Sequence, residues 1–217
     1  MSSQAKWRLS DLPVLRSGDG FISRGSSRVS RLIRWWFSGW VFVRSLSVQH
    51  GMYFDCFGNH MGWIDLPVMD DEGDYLGVTI LESGARGQNP AELWESHHGQ
   101  DIIIVRPIFS DLAARKALMR AAACGYRRYD WLLPWALVRK YGLVRVAGLV
   151  VKRLNGQRVA TPHVRDNRDV CVEYYQEPWE DERLPLCNPD LLLVPDPSGS
   201  VLWDVIFDSR KLSKEGA

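Results

Sequence analysis

The chain has 217 residues, of which 46% are hydrophobic and 24% charged, and its net charge is +1. This composition is ordinary for a soluble globular protein, and the length suits one domain with its own core. A balanced charge gives no reason to expect nucleic-acid binding. No apolar run reaches the roughly 18 residues of a transmembrane helix, and the polar N-terminus does not resemble a secretory signal. The sequence therefore predicts synthesis and folding in the cytoplasm.

The first part of the chain is predicted to contain one helix and several strands. A turn at Gly18-Asp19 leads into a short strand, and residues 26–40 have the spacing of an amphipathic helix. Residues 47–55 are rich in β-formers, and residues 62–72 are expected to be a loop or a partial strand. Residues 75–83 alternate in polarity and predict another strand.

The second part begins with a polar connection at residues 92–99. Residues 101–107 are the clearest predicted strand, because they form a near-continuous apolar run that ends at a proline. Residues 110–124 predict a helix with Ser110 as its N-cap, and Cys171 is expected in the first turn of a later helix. Two short strands are predicted near the end: residues 191–195 and 201–207.

These elements predict an α+β fold with a central antiparallel sheet flanked by helices. The expected organisation is an N-terminal extension at residues 1–14, a single domain at residues 15–208 and a flexible tail at residues 209–217.

The pairing of Cys171 with a histidine is the chemical hypothesis that the sequence favours. A thiol becomes a nucleophilic thiolate near neutral pH when an imidazole lies beside it in space. His50, which follows an apolar run, is the candidate imidazole. His97-His98 is interpreted as part of a solvated loop without a third metal ligand, and His60 is left without a role. Core positions are expected for the other cysteines: Cys56, Cys124 and Cys187.

Five short motifs follow one another along the chain: Gly18-Asp19-Gly20-Phe21-Ile22, Val48-Gln49-His50-Gly51-Met52-Tyr53, Ile80-Leu81-Glu82-Ser83, Gly125-Tyr126-Arg127-Arg128-Tyr129-Asp130 and Cys171-Val172-Glu173. In this order they resemble the circularly permuted, papain-like branch of the NlpC/P60 superfamily. This branch includes the YiiX/YaeF-like enzymes and, more distantly, the lecithin:retinol acyltransferase group. Its motifs usually have a serine before the histidine and after the cysteine, where this chain has Gln49 and Val172.

The resemblance implies a permuted papain-like fold and a catalytic triad. Cys171 would be the nucleophile, His50 the general base, and Glu82 the residue that orients the imidazole. The backbone N–H of Cys171, at a helix N-terminus, would help to bind the oxyanion. Other carboxylates remain alternatives for the orienting role: Glu92, Glu95 and Asp65.

The substrate implied by the resemblance is an amide bond, most naturally in a cell-wall peptide. The enzyme would then be a thiol peptidase or amidase that needs no cofactor and no metal, carried by a phage tail or a similar particle. The side chains expected to line its substrate site are Trp35, Trp36, Tyr129 and Asp130.

Two alternatives stay open. The aromatic stretch around Trp35, Trp36 and Trp40 would also suit a lipid-directed esterase or acyltransferase, with weak contact to a membrane surface. The altered neighbours of the two reactive residues would suit a catalytically silent component of a virion that retains the fold.

Overall fold

The computed structural model describes residues 6–28, 30–31, 40–41, 58, 60–84, 87–123, 143–155, 159–160, 179 and 202–215. Its strands are β1 (Gly20–Arg24), β2 (Trp40–Val41), β3 (His60–Met69), β4 (Tyr75–Gly84), β5 (Gly87–Glu92), β6 (Asp101–Pro107), β7 (Val159–Ala160) and β8 (Trp203–Asp208). Its helices are α1 (Leu93–His97), α2 (Asp111–Ala123), α3 (Leu143–Leu154) and α4 (Ser209–Glu215), with a 3-10 turn at Leu9–Asp11. None of these described helices has both the length and the hydrophobicity needed to span a membrane.

Six of the strands form one antiparallel sheet in the order β5-β4-β3-β1-β6-β8. β1 lies inside the sheet between β3 and β6, and its first four residues are buried. The two remaining strands, β2 and β7, pair with each other in parallel. The mixed content of helices and antiparallel sheet that the sequence predicts is therefore confirmed.

Several elements match their predictions closely. β6 spans the predicted residues 101–107, and β4 extends the predicted strand by one residue. α2 begins directly after Ser110, whose Oγ accepts a hydrogen bond from Ala113 N at 3.3 Å, as expected of an N-cap. These segments were predictable because their burial pattern agrees with their local residue preferences.

Two segments differ from their predictions, the first in the length of its strand and the second in the type of its structure. Residues 62–72 were expected to be a loop or a partial strand, but most of them belong to the ten-residue β3. Gly62 and Pro67 are residue types that usually disfavour strands. Pro67 lies beyond the part of β3 that pairs with β1, and among the described strands only β4 is its neighbour, so it occupies an edge position of the kind that tolerates proline. Residues 92–99, expected to be a polar connection, contain the helix α1 with buried Leu93 and His97.

The sheet buries side chains on both faces. Alternation along β1 sends Phe21 to one face and Ile22 to the other. The face of Phe21 is packed by the N-terminal segment and α1, and it includes Trp7, Leu12, Leu15, Ile64, Val78, Ile80, Leu93, Ile102, Ile104 and Phe207. The face of Ile22 is packed by α2, and it includes Met61, Trp63, Ile103, Val105, Ala117, Leu118, Ala121, Leu202 and Trp203.

Both ends of the described chain join this core. Trp7 and Leu12 lie in the stretch expected to be an N-terminal extension, and both are buried. The segment expected to be a flexible tail forms α4, whose first residue, Ser209, is buried and accepts a hydrogen bond from Ile102 N at 2.9 Å. The described residues of both segments therefore make apolar and hydrogen-bonding contacts with the sheet.

The Gly18-Asp19 turn is anchored by a partly buried ion pair. Gly18 has a φ of +98°, a conformation that favours glycine. Asp19 is 2% exposed and accepts hydrogen bonds from Arg106 Nε at 3.0 Å and from an Arg106 terminal nitrogen at 2.8 Å. The pairing joins the start of β1 to β6.

Gly62 allows β1, β3 and β4 to pack closely. A Cβ at this position would lie 2.6 Å from the Leu81 carbonyl oxygen, 2.8 Å from Phe21 Cε1 and 3.1 Å from Glu82 Cβ. The first two distances are shorter than a normal contact, so any side chain here would push strands or the Phe21 ring apart.

We expect Gly62→Ala to lower the free energy of unfolding by about 1–3 kcal/mol, because it overpacks a well-filled site. Gly77→Ala is the matched control, since Gly77 lies in the neighbouring strand β4 of the same sheet and a Cβ there would meet nothing within 4 Å. Urea denaturation of both variants measures the difference. Equal stability of the two variants would contradict the close packing around Gly62.

Candidate functional site

The candidate site is a cluster of two histidines around one carboxylate. His60 is the first residue of β3, Glu82 lies near the end of β4, and His97 is the last residue of α1. Gly62 is the cross-strand partner of Glu82, and His60 is two residues from Gly62, so His60 and Glu82 share one face of the sheet. The antiparallel return through β5 then brings α1 and His97 to the same face.

Both histidines bond to the same carboxylate oxygen. His60 Nε2 lies 2.7 Å from Glu82 Oε2, and His97 Nε2 lies 3.0 Å from it. Since a carboxylate oxygen only accepts, both rings must carry a proton on Nε2 in this arrangement. The bonds therefore define which ring nitrogen of each histidine faces Glu82.

The cluster is largely shielded from solvent. The side chains of His60, Glu82 and His97 are 18%, 20% and 5% exposed. The two imidazole rings stack at an interplanar angle of 20°, and the Phe21 ring lies against His97 with a centroid distance of 4.9 Å. Packing on both sides restricts the rotation of the rings and keeps their Nε2 atoms directed at Glu82.

Within the described part of the chain, two buried polar atoms at this end of the sheet have no hydrogen-bond partner. One is His97 Nδ1, and the other is Oγ of Ser23, the cross-strand partner of His60 on β1. Buried polar atoms usually find partners, and unpaired ones are frequent at functional sites. This region therefore contains more buried hydrogen-bonding atoms than the hydrogen bonds between its described residues satisfy.

Glu82 is held as a carboxylate by its neighbours. Burial raises the pKa of Glu82, but the hydrogen bonds and charge interactions of His60 and His97 outweigh burial and lower this pKa far below its usual value of 4.5. No lysine or arginine contributes to the shift among the described residues. The negative charge is thus met by two imidazoles.

The same three side chains form a possible set of metal ligands. Each offers one ligand atom, and these atoms all lie within 4.8 Å of one another. Imidazole nitrogen and carboxylate oxygen are the donors that zinc and related divalent ions take. The cluster can therefore orient an imidazole for proton transfer or bind a cation.

The carboxylates proposed as alternatives to Glu82 have other surroundings. Glu92 caps α1, because its carboxylate accepts hydrogen bonds from Glu95 N at 2.5 Å and Val78 N at 3.3 Å. Glu95 is exposed. Asp65 has a pKa raised by burial. Among the carboxylates considered as orienters, Glu82 is the one for which the structure describes a bond to an imidazole.

The other predicted site residues all lie outside the described part of the chain: Cys171, His50, Trp35, Trp36, Tyr129 and Asp130. Their assigned roles stay predictions.

The sequence interpretation missed His60 and misplaced His97. His60 had no role, and His97 was expected in a solvated loop, whereas it is buried at the end of α1. The acidic, glycine-containing stretch at residues 70–74 was a sequence signal for a turn, and the structure places Gly73 there at a φ of +91°. A hairpin folded about this turn places residue 62 opposite residue 82 and so brings His60 close to Glu82.

We expect Glu82→Gln to destabilise the protein by about 1–3 kcal/mol at neutral pH, since charge-assisted hydrogen bonds are lost. A lowered pKa stabilises the fold above the unfolded value of 4.5, and the contribution disappears as the pH falls through the folded pKa. The stability difference from wild type should therefore shrink on acidification. Urea denaturation of both proteins from neutral to acidic pH, with a chelator present, measures this difference in the free energy of unfolding.

Glu95→Gln is the control for this titration, because Glu95 is an exposed glutamate on the adjacent helix. It should change stability little at any pH. A Glu82→Gln difference that stays constant from neutral to acidic pH would contradict the proposed charge state of Glu82.

Comparisons of the chain with protein-family models, with curated proteins and with solved structures return no match. The likeness to the permuted NlpC/P60 group rests on the five sequence motifs. The function of the site therefore has to be inferred from its geometry and chemistry.

Proposed function

We propose that this protein is a thiol hydrolase in which Cys171 is the nucleophile, His60 the general base and Glu82 the residue that orients the base. The observation that carries the proposal is the 2.7 Å hydrogen bond between His60 Nε2 and Glu82 Oε2. An imidazole fixed by a carboxylate is the part of a catalytic triad that activates a nucleophile.

The tautomer of His60 suits this role. Its Nε2 proton is donated to Glu82, so a neutral ring has its lone pair on Nδ1. Nδ1 would accept the proton of the Cys171 thiol, and Glu82 would stabilise the imidazolium that forms. The thiolate would then attack a carbonyl carbon, and the imidazolium would return the proton to the leaving amine.

The proposal replaces His50 by His60 as the base. His60 follows Gly18-Asp19 and precedes Glu82, so the order of the motifs is unchanged. It lies on β3, directly between β1, which follows Gly18-Asp19, and β4, which carries Glu82. His50 lies outside the described residues, and its participation remains a competing hypothesis.

The finer fold assignment is part of the same proposal. A permuted papain-like hydrolase places its base and its orienting residue on the sheet and its cysteine on a later helix. The described sheet, with His60 and Glu82 on neighbouring strands, agrees with the first of these requirements. Residues 167–178 would supply the helix that carries Cys171.

The proposed substrate is an amide bond in a cell-wall peptide. This choice rests on the resemblance of the motifs, which is an argument by analogy. The residues around Cys171 differ from the family pattern at Val172, so the preferred peptide has to be determined by experiment.

We expect Cys171→Ala and His60→Asn each to reduce hydrolysis by on the order of 10³-fold or more, because triad members act together. His50→Asn should retain most of the activity. Purified cell-wall sacculi are the substrate, and mass spectrometry of released fragments detects new amino termini.

Loss of activity in His50→Asn with full activity in His60→Asn would restore His50 as the base. Release of fatty acid from lipid substrates, without new amines from sacculi, would favour the esterase or acyltransferase. Circular dichroism of each variant checks that it is folded.

We also expect Cys171 to react with iodoacetamide near neutral pH faster than Cys56, Cys124 and Cys187, since an imidazole partner lowers a thiol pKa. Peptide mapping after brief labelling gives the rate at each cysteine. His60→Asn should remove the advantage of Cys171, and Glu82→Gln should reduce it. A Cys171 no faster than an exposed model thiol would contradict the catalytic role.

A further inference from the structure

We propose that His60, Glu82 and His97 bind one divalent transition-metal ion of the zinc class, and that this ion switches off His60 as a base. The binding inference depends only on the described cluster. Its consequence for activity rests on the proposed thiol hydrolase.

The ligand atoms are close to the arrangement that a metal ion requires. Two ligands at about 2.1 Å from a tetrahedral zinc ion lie roughly 3.4 Å apart. His60 Nε2 and His97 Nε2 are 2.7 and 3.0 Å from Glu82 Oε2, and all three atoms lie within 4.8 Å of one another. Small outward shifts of these side chains would therefore admit the ion.

The scaffold holds the ligands from three directions. β3 supplies His60, β4 supplies Glu82, and α1 supplies His97. The missing side chain at Gly62 lets Phe21 and Glu82 approach, and the Phe21 ring packs against the His97 ring. Ligands fixed by packing lose little conformational freedom when they bind a metal ion, which favours affinity.

The electrostatics favour a cation at this position. Glu82 is a largely buried carboxylate, and its described hydrogen-bond partners are the two imidazoles rather than a lysine or an arginine. A buried negative charge is costly unless it is paired or coordinates a metal ion. A divalent ion between Glu82 and neutral imidazoles would supply this charge.

The donor set selects the kind of ion. Two imidazole nitrogens with one carboxylate oxygen suit zinc, cobalt and nickel, whereas magnesium and calcium prefer oxygen ligands throughout. Three protein ligands leave the fourth tetrahedral position to water or to another group.

Metal binding would reverse the tautomer of His60. The ion takes the Nε2 lone pair, so the proton that Nε2 donated to Glu82 moves to Nδ1. The ring then has no lone pair on Nδ1 to accept a thiol proton. His97 undergoes the same exchange, and no net proton is released when both rings begin neutral.

The first test is calorimetric titration of chelator-treated protein with zinc chloride. We expect one tight equivalent in the wild type. His97→Asn should lose more than the roughly 10- to 100-fold in affinity that outer-shell changes cost, because it removes a ligand. His98→Asn is the matched control, since the neighbouring His98 instead bonds through Nδ1 to the Trp94 carbonyl at 2.8 Å and should bind zinc like the wild type.

Zinc-edge X-ray absorption of the Cys171→Ala protein tests the ligands directly and does not require His97→Asn to fold. We expect nitrogen and oxygen neighbours at about 2.0–2.2 Å, with the scattering pattern of imidazole. Sulfur neighbours would overturn the inference. So would the absence of a tight zinc equivalent in the wild type, or equal losses of affinity in His97→Asn and His98→Asn.

The activity measurement separates the two proposals. Zinc should inhibit the wild-type hydrolase, and His97→Asn should need a correspondingly higher zinc concentration, relative to its own zinc-free rate. Zinc binding without any Cys171-dependent hydrolysis would refute the proposed function and leave the metal site standing. Hydrolysis without zinc binding would do the opposite.

Discussion

A buried carboxylate must be met by hydrogen-bond donors or by a positive charge, and Glu82 imposes this requirement on one end of the sheet. His60 and His97 meet it from β3 and α1, which are separate elements of the chain. Hydrogen bonds to one oxygen atom orient both rings, while α1 is also held in place by the burial of Leu93 in the core. The candidate site thus also connects β3, β4 and α1 through hydrogen bonds.

Close packing around Gly62 makes this arrangement of His60, Glu82 and His97 possible. Gly62 lets Phe21 and Glu82 lie on either side of β3 without a clash, and Phe21 in turn packs against the His97 ring. At the other end of β1, the partly buried pair of Asp19 and Arg106 secures the turn that leads into the strand. β1 is therefore fixed at both ends, and the strands that carry the site are aligned against it.

The two roles proposed for the cluster of His60, Glu82 and His97 exclude each other. With the Nε2 proton directed at Glu82, His60 has a lone pair on Nδ1 and can act as a base. With a metal ion on Nε2, the proton occupies Nδ1 and the base is lost. The choice between proton transfer and metal binding is a choice of tautomer, so metal supply would control the activity of the proposed enzyme.

The sequence by itself determined the elements whose local preferences agree with their burial, such as β6 and the capped helix α2, and it singled out Glu82. The motif order selected His50 as the base and left His60 without a role, whereas the structure describes a hydrogen bond between His60 and Glu82. The register of the β3–β4 hairpin decides that His60 reaches Glu82, and the return through β5 brings in His97, which is distant in sequence. Register and packing depend on contacts between distant residues, which the tertiary structure alone establishes.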